Sequence, residues 1–205
     1  MKEPLIQVDN DSRTIEFMGD ITADSISKLM WEFRKFLIQD DKDESEKKNF
    51  KRKPIHFHIN SYGGTVYDGN ALLSLMLSSK TPIYTYCDGY CMSMGLILYL
   101  AGSKRFAGKY VRFMYHQIST SVKGMIESCR EDLIESDILN TQLMKFVSER
   151  TQFDYDTLVK INASKDNCYF GYDFAVSTGV VTEGENDGRK EKEIANEEIK
   201  NSQDK

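Results

Sequence analysis

The sequence predicts an α/β domain with mainly parallel strands, and two recurring patterns lead to this class. Short segments in which apolar and polar residues alternate, as at residues 13–18 and 54–60, are typical of half-buried strands. Longer segments between them carry apolar residues at steps of three and four, which is typical of helices packed on one face. Repeated alternation of strand and helix favours parallel strands, because a parallel pair needs a long crossover connection.

The first half of the chain contains three strand–helix pairs. After a strand at residues 13–18, Thr22 is placed to cap a helix with one apolar stripe: Ile26, Leu29, Met30, Phe33 and Leu37. The charged run at residues 40–53 lacks periodicity and predicts a mobile connection. A strand at 54–60 then leads to a helix from Val66, and a strand at 82–87 leads to a fully buried helix after Ser93.

The second half begins with an alternating strand at residues 110–118. A long helix at 127–150 follows, without glycine or proline, and its apolar stripe comprises Leu133, Ile134, Ile138, Leu143 and Val147. Shorter helices are predicted at 154–161 and 172–177, the latter closed by Gly179, before a strand at Val180 and Val181. The tail, residues 183–205, mixes acidic and basic residues and predicts disorder, so one domain is expected at residues 1–182.

Composition argues against several classes of protein. The net charge of −5 disfavours a nucleic-acid-binding protein, which normally presents a basic face. The sequence has no run of about 18 apolar residues, so it predicts no membrane-spanning helix. The first residues also lack the apolar core of a signal peptide, which makes a cytoplasmic location the default expectation.

The four cysteines do not predict a metal site or a disulfide framework. Their spacings match no zinc-binding pattern, and a cytosolic protein keeps its thiols reduced. Small buried hydrophobic residues are the simplest interpretation. Cys91, two residues from Ser93, is a weaker candidate for a reactive thiol. We therefore expect neither a metal nor a cofactor in the chain itself.

Ser93 is the first candidate catalytic residue, and its local sequence leaves two roles open. It stands between a strand and a buried helix, where a serine either caps the helix or acts as a nucleophile beside unpaired backbone amides. The Gly-x-Ser-x-Gly elbow of the α/β hydrolases is incomplete, because Cys91 occupies the first glycine position. Local chemistry alone does not separate a cap from a nucleophile.

Two other side chains, those of His116 and Asp166, could complete a catalytic site. His116 ends a predicted strand and is the only plausible base for Ser93, since His56 and His58 alternate with an apolar strand face. Asp166, which precedes an asparagine, is on its own chemistry a weak candidate that fits a turn.

Gly63 and Gly64 follow a strand and let the backbone approach a ligand closely. A phosphate-binding loop would need a Gly-Lys-Ser/Thr sequence, which is absent, so an oxyanion donor is the better hypothesis.

Five segments together resemble the Clp protease proteolytic subunit family of serine peptidases. They are Arg-Thr-Ile-Glu-Phe-Met-Gly at 13–19, Ile-Asn-Ser-Tyr-Gly-Gly at 59–64, Gly-Tyr-Cys-Met-Ser-Met-Gly at 89–95, His-Gln at 116–117 and Lys-Asp-Asn at 165–167. The segments occur in the family's order, and the resemblance covers about residues 13–182. Any one segment would be a weak signal, whereas the ordered set is specific.

The resemblance implies a role for each candidate residue. Ser93 would be the nucleophile, His116 the general base and Asp166 the group that orients the imidazole, while the backbone amides of Gly64 and Met94 would form the oxyanion hole. The implied fold is the crotonase-like α/β spiral of ββα units with a protruding handle helix, here the long helix with the strand before it. The implied protein is a homo-oligomer of two stacked heptameric rings. It would cut unfolded polypeptides delivered by an AAA+ unfoldase, which uses the ATP.

The chain also departs from the family's pattern. Tyr62 replaces a proline, and Cys91 and Met92 replace two alanines beside the nucleophile. Residues 118–121 lack the proline and glycines that usually follow His-Gln, so the substrate-binding strand is expected to differ. The segment before residue 13 is short for the family, which leaves unfoldase docking open.

Two alternative functions are compatible with parts of this pattern. An acyl-CoA hydratase or isomerase of the crotonase type would share the fold and the paired backbone amides but would need no serine nucleophile. A non-catalytic ring subunit would only assemble with an active partner. The combination of Ser93, His116 and Asp166 disfavours both.

Overall fold

The computed structural model describes residues 4–164 and 167–183, and its mixed α/β architecture confirms the predicted class. The described strands are β1 (Leu5–Asp9), β2 (Thr14–Met18), β3 (Ile55–Ser61), β4 (Ile83–Met92), β5 (Lys104–Ala107), β6 (Arg112–Tyr115) and β7 (Cys168–Phe170). The described helices are α1 (Ala23–Glu46), α2 (Val66–Ser78), α3 (Met94–Leu100), α4 (Ile126–Arg150), α5 (Tyr155–Ser164) and α6 (Tyr172–Ser177).

The strands form one sheet in the order β1-β2-β3-β4-β6-β7, with β5 paired to β4. Pairing is parallel from β2 to β6 and antiparallel at the two outer pairs, β1 with β2 and β6 with β7. The long strand β4 pairs with β5 along its first half and with β6 along its second half. The prediction of mainly parallel strands is therefore confirmed for the central strands β2 to β6, and the two outer pairs differ from it.

The hydrophobic core lies on one face of this sheet. Along β3 the apolar residues Ile55, Phe57 and Ile59 are fully buried, while the alternating His56 and His58 are half-buried. Such alternation is expected of a strand with one face toward the core. Helix α3 enters this core with every residue buried, as the sequence predicts.

Helix α1 begins where the sequence predicts but continues into the charged run. Thr22 accepts a hydrogen bond from the Ser25 amide, and the Ser25 hydroxyl accepts one from the Thr22 amide, which forms a capping box. The helix then reaches Glu46, so the prediction of a mobile connection at residues 40–53 is wrong for its first half. Several acidic residues of this part of the run are paired with basic residues. Asp40 is 2% exposed and accepts two hydrogen bonds of 3.0 and 2.8 Å from the Arg13 guanidinium, and Asp41 and Glu44 both pair with Arg52.

Several short elements differ from the sequence-based prediction. Strands β1, β5 and β7 were not predicted, and the strand expected at residues 110–118 is confined to β6. Val180 and Val181 are buried but form no strand; the chain pairs next at Glu183, through an isolated bridge to Phe106. The predicted tail lies outside the described residues except for Glu183.

Two arginines, the buried Arg105 and the partly buried Arg150, hold the carboxyl ends of three helices together. The Arg105 guanidinium donates to the carbonyls of Gly179 and Val180 after α6, and to that of Arg150 at the end of α4. Arg150 in turn donates to the Leu100 carbonyl at the end of α3. Burial lowers the pKa of Arg105 to about 10. These bonds satisfy helix-end carbonyls and place a positive charge where the helix dipoles favour it.

Helix α4 buries only its second half. Met144 and Val147 are buried, whereas Leu133, Ile134 and Ile138 of the predicted apolar stripe are 50%, 62% and 46% exposed. The stripe is therefore present in the sequence as predicted, but the described residues cover only part of it. An exposed row of large aliphatic side chains is typical of a surface that contacts another molecule.

Candidate active site

Three neighbouring parallel strands end at the same edge of the sheet and bring the predicted site residues together. Cys91 of β4 lies opposite Ser61 of β3, so the glycines after β3 and Ser93 after β4 emerge side by side. Met92 lies opposite Met114 of β6, and the Ser93 amide donates to the Met114 carbonyl at 2.9 Å. His116 follows the last residue of β6, two residues after Met114, and therefore lies at the same edge of the sheet as Ser93. Carboxyl ends of parallel strands are the usual location of active sites in α/β proteins.

Ser93 does not cap the helix that follows it. Its side chain makes no capping hydrogen bond, although its carbonyl accepts from the amides of Leu96 and Ile97. Its backbone has φ 52° and ψ −127°, a conformation that is costly for a residue with a side chain. Such strain at a sharp strand-to-helix turn holds a nucleophile above the sheet edge. Of the two roles left open by the sequence, the capping role is therefore disfavoured.

The Ser93 hydroxyl is instead paired with His116. The distance between Ser93 Oγ and His116 Nε2 is 2.7 Å, which is within hydrogen-bonding range. Burial lowers the pKa of His116 below the ordinary value of 6.5, because a charged imidazole is poorly solvated there. A neutral imidazole can accept the serine proton, so this pair can generate a nucleophile at neutral pH.

The lowered pKa of His116 predicts how any serine-dependent activity varies with pH. Only the neutral imidazole accepts a proton, so kcat/KM is expected to rise with pH as His116 deprotonates. The midpoint is expected below 6.5, and it can be measured with a peptide substrate between about pH 5 and 8. Circular dichroism at each pH controls for unfolding. A flat profile across this range, with the fold intact, would contradict a titrating His116 imidazole as the base.

Asp166, the predicted third member of the site, lies outside the described residues. Within residues 4–164 and 167–183, the imidazole of His116 has Ser93 as its hydrogen-bond partner. The chain re-enters the described part at Asn167, and Cys168 pairs directly with Tyr115, the residue before His116. The role of Asp166 stays a prediction.

Gly64 and Met94 both border the space in front of Ser93. A side chain at Gly63 would place its Cβ 2.7 Å from the Cβ of Ser93, and one at Gly64 would collide with the Ile21 carbonyl. Both glycines have positive φ, 104° and 150°, which other residues rarely adopt. In the described part of the chain, the amides of Gly64 and Met94 donate to no protein acceptor. Two unpaired N–H groups beside a nucleophile can stabilise an oxyanion.

A cavity of about 60 Å³ adjoins Ser93 and His116, and its walls come from four parts of the chain. Its apolar side is formed by Val66, Ile97 and Leu143. Asn140 of α4 also lines it, and the sequence analysis did not select this residue. An asparagine within a long helix carries no local signal, because its function depends on which distant segment the helix meets.

The other candidates considered from the sequence lie away from this chemistry. Cys91 is fully buried, its thiol contacts the Ile59 carbonyl at 3.3 Å, and burial raises its pKa, so a reactive thiol is disfavoured. His56 and His58 lie on the opposite face of the sheet and bond Tyr86 and Asp88, each at 2.7 Å. Burial lowers the pKa of His56, in agreement with its expected neutral form.

Neither a metal site nor a membrane span is found in the described residues. Within residues 4–164 and 167–183, no group of three or more histidine, cysteine or acidic side chains is arranged to hold a metal ion. No helix in those ranges is both long and apolar enough to cross a bilayer.

Comparison with known proteins identifies relatives over most of the chain. One relative is the ATP-dependent Clp protease proteolytic subunit 1 of Prochlorococcus marinus (strain MIT 9312), 32% identical over 82% of this chain and 81% of its own. Another is the ATP-dependent Clp protease proteolytic subunit 2 of Synechococcus sp. (strain CC9605), 32% identical over 76% of this chain and 74% of its own. Nothing in these matches favours an acyl-CoA hydratase or isomerase.

The family description that matches the sequence is Clp protease, and the match extends over residues 11–183. It includes the strand-end glycines, Ser93 and His116, and it agrees with the crotonase-like α/β fold predicted from the sequence. The family resemblance found in five short segments is thereby confirmed, and the chain belongs to the Clp protease family.

Proposed function

We propose that this chain is a serine-type endopeptidase that hydrolyses peptide bonds of unfolded polypeptides inside a ring of identical subunits. The observation that carries the proposal is the 2.7 Å contact between Ser93 Oγ and His116 Nε2, at a serine held in a strained turn. The neighbouring amides of Gly64 and Met94, which have no protein acceptor among the described residues, supply the second requirement of acyl transfer.

The proposed reaction follows from these positions. His116 Nε2 takes the proton of the Ser93 hydroxyl as Oγ attacks the carbonyl carbon of the scissile peptide bond. The oxygen of the tetrahedral intermediate becomes negative and accepts hydrogen bonds from the amides of Gly64 and Met94. His116 then gives its proton to the leaving amine, which yields an acyl-enzyme. A water molecule, deprotonated by the same imidazole, hydrolyses this ester and restores Ser93.

We assign to Asp166 the orientation of the His116 imidazole. A carboxylate at Nδ1 fixes the tautomer in which Nε2 is free to accept, and it stabilises the imidazolium that forms. The assignment is supported by strand register, since Cys168 pairs with Tyr115 and the chain reaches Asp166 two residues earlier.

The ring assembly is supported by the uncovered half of α4. Leu133, Ile134 and Ile138 form a row that a subunit alone leaves in water, and burying it against other subunits is favourable. We further propose two stacked heptameric rings in the cytoplasm that receive substrates from an ATP-dependent AAA+ unfoldase. The relatives' names, which describe ATP-dependent proteases, support this partner.

A fluorophosphonate probe tests the proposed nucleophile directly. It is expected to label the wild-type protein on Ser93, located by mass spectrometry of the labelled peptide, and to leave Ser93→Ala unlabelled. Ser74→Ala, which removes an exposed hydroxyl on α2, serves as the matched control and is expected to label normally. Light scattering on the same samples reports the assembly state. Absence of labelling at Ser93 in an assembled sample would refute the proposed function.

A further inference from the structure

The chain segment that carries His116 leaves the sheet without regular secondary structure. Residues 116–123 lie between the end of β6 and the bend before α4, and they belong to no helix or strand. For the backbone of residues 117–121, the one hydrogen bond to another described residue is donated by the Ile118 amide to Asn140 Oδ1, at 3.1 Å. A single side chain of α4 therefore restrains the segment that positions the general base.

The chemistry of this contact fixes its direction. A backbone N–H is only a donor, so the atom of Asn140 that faces it must be the amide oxygen. Ile118 and Asn140 are both partly buried, and an amide there that lost its acceptor would pay a desolvation cost. Because Ile118 is two residues from His116, fixing its amide limits how far the imidazole can move from Ser93.

The bond to Asn140 acts on the backbone at Ile118. Ile118 has an N–H group and, unlike a proline, no ring that fixes its backbone angle φ. Because Asn140 Oδ1 accepts from that N–H group, one side chain both satisfies the amide and limits rotation of the backbone there.

We propose that Asn140 is a positioning residue for the proposed peptidase reaction, which holds the Ile118 amide so that His116 stays within hydrogen-bonding distance of Ser93. This inference rests on the proposed function, because it explains how the base of that reaction is oriented. It also gives helix α4 a second role besides the proposed subunit contact. The helix exposes Ile138 on its surface, and two residues further along, Asn140 contacts the segment that follows His116.

Asn140→Leu removes the acceptor and nearly preserves the side chain's size. We expect kcat for a peptide substrate to fall about 10- to 100-fold with a much smaller change in KM, because the base is displaced while a leucine of similar size replaces Asn140 in the cavity wall. Asn140→Asp keeps an oxygen at the same position and is expected to recover most of the loss. Gln142→Leu, the same type of change at an exposed site two residues along α4, is the control and should retain wild-type kcat.

A second variant separates positioning from general stability. Ile118→Pro deletes the N–H group that Asn140 accepts from, and Ile118 is not among the described residues with a positive φ, which proline cannot adopt. In the Ile118→Pro background, Asn140→Leu is therefore expected to change kcat by less than about twofold. If Asn140 merely stabilised the fold, its replacement would cost the same in both backgrounds.

Hydrogen exchange provides a readout that is independent of activity. The Ile118 amide is expected to be protected in the wild-type protein and in Asn140→Asp, and to exchange faster in Asn140→Leu. If the wild-type protein neither cleaves peptides nor labels at Ser93, the proposed function fails. If it is active, and Asn140→Leu changes neither kcat nor Ile118 exchange, the positioning role of Asn140 is overturned and the proposed function stands.

Discussion

Ser93→Ala and His116→Ala are each expected to lower kcat for peptide hydrolysis by about 10⁴- to 10⁶-fold. The two side chains form one hydrogen-bonded unit, with Ser93 Oγ and His116 Nε2 2.7 Å apart, and neither can perform its step without the other. The double variant is therefore expected to be about as slow as the slower single variant. Single-turnover assays on assembled protein measure all three rates.

The rate of the double variant distinguishes a coupled Ser93–His116 pair from two residues that contribute separately. If the serine and the histidine acted independently, their effects would multiply, and the double variant would fall below any detectable rate. The controls are light scattering and circular dichroism, which should match the wild-type protein because both substitutions remove atoms at the wall of an existing cavity. Full activity in His116→Ala would show that another group is the base.

Asp40→Ala is expected to lower the free energy of unfolding by about 3–5 kcal/mol. The Asp40 carboxylate is 2% exposed and accepts two hydrogen bonds from Arg13 and one of 2.6 Å from Thr81. Removing it leaves the Arg13 guanidinium, whose side chain is 16% exposed, without its counter-ion. Urea denaturation followed by circular dichroism, at one fixed protein concentration, measures the change.

Asp41→Ala is the matched control for Asp40→Ala. Asp41 also pairs with an arginine, Arg52, but its side chain is 64% exposed and Arg52 retains a second partner in Glu44. Exposed ion pairs contribute little to stability, so the unfolding midpoint is expected to move only slightly. If Asp40→Ala and Asp41→Ala lowered the free energy of unfolding equally, burial would not be what makes the Asp40–Arg13 pair stabilising.

Features encoded within a few residues could be predicted from the sequence. The start of α1 follows from Thr22, because a capping residue acts on amides two or three positions away. Helix α3 follows from an unbroken apolar run, and α6 matches its predicted bounds of 172–177. His116 was predicted as the partner of Ser93 because it ends a strand, because the other two histidines alternate with an apolar face, and because of the family resemblance; the structure places the two side chains 2.7 Å apart.

Features that depend on distant contacts could not be predicted. A charged run normally forms a solvated loop, but here residues 40–46 are helical, and their acidic side chains pair with the distant Arg13 and Arg52. The short strands β1 and β7 show no clear alternating pattern in the sequence, and they are defined by their pairing with β2 and β6. The contact of Asn140 at the candidate active site could not be predicted for the same reason, because its partner Ile118 is 22 residues away in the sequence.

The buried thiol of Cys91 provides a chemical probe of local opening at the end of β4. Only the thiolate of an exposed cysteine reacts quickly with an alkylating reagent, and Cys91 is fully buried with a raised pKa, two residues from the nucleophile. Its alkylation therefore requires the end of β4 to separate from β3, and at low reagent concentration the rate reports the equilibrium population of that open form. Cys129 and Cys168, which are only partly buried, react without such an event and provide the reference rate in the same sample. Cys91, which replaces the first glycine of the Gly-x-Ser-x-Gly pattern, thus allows local opening beside Ser93 to be measured.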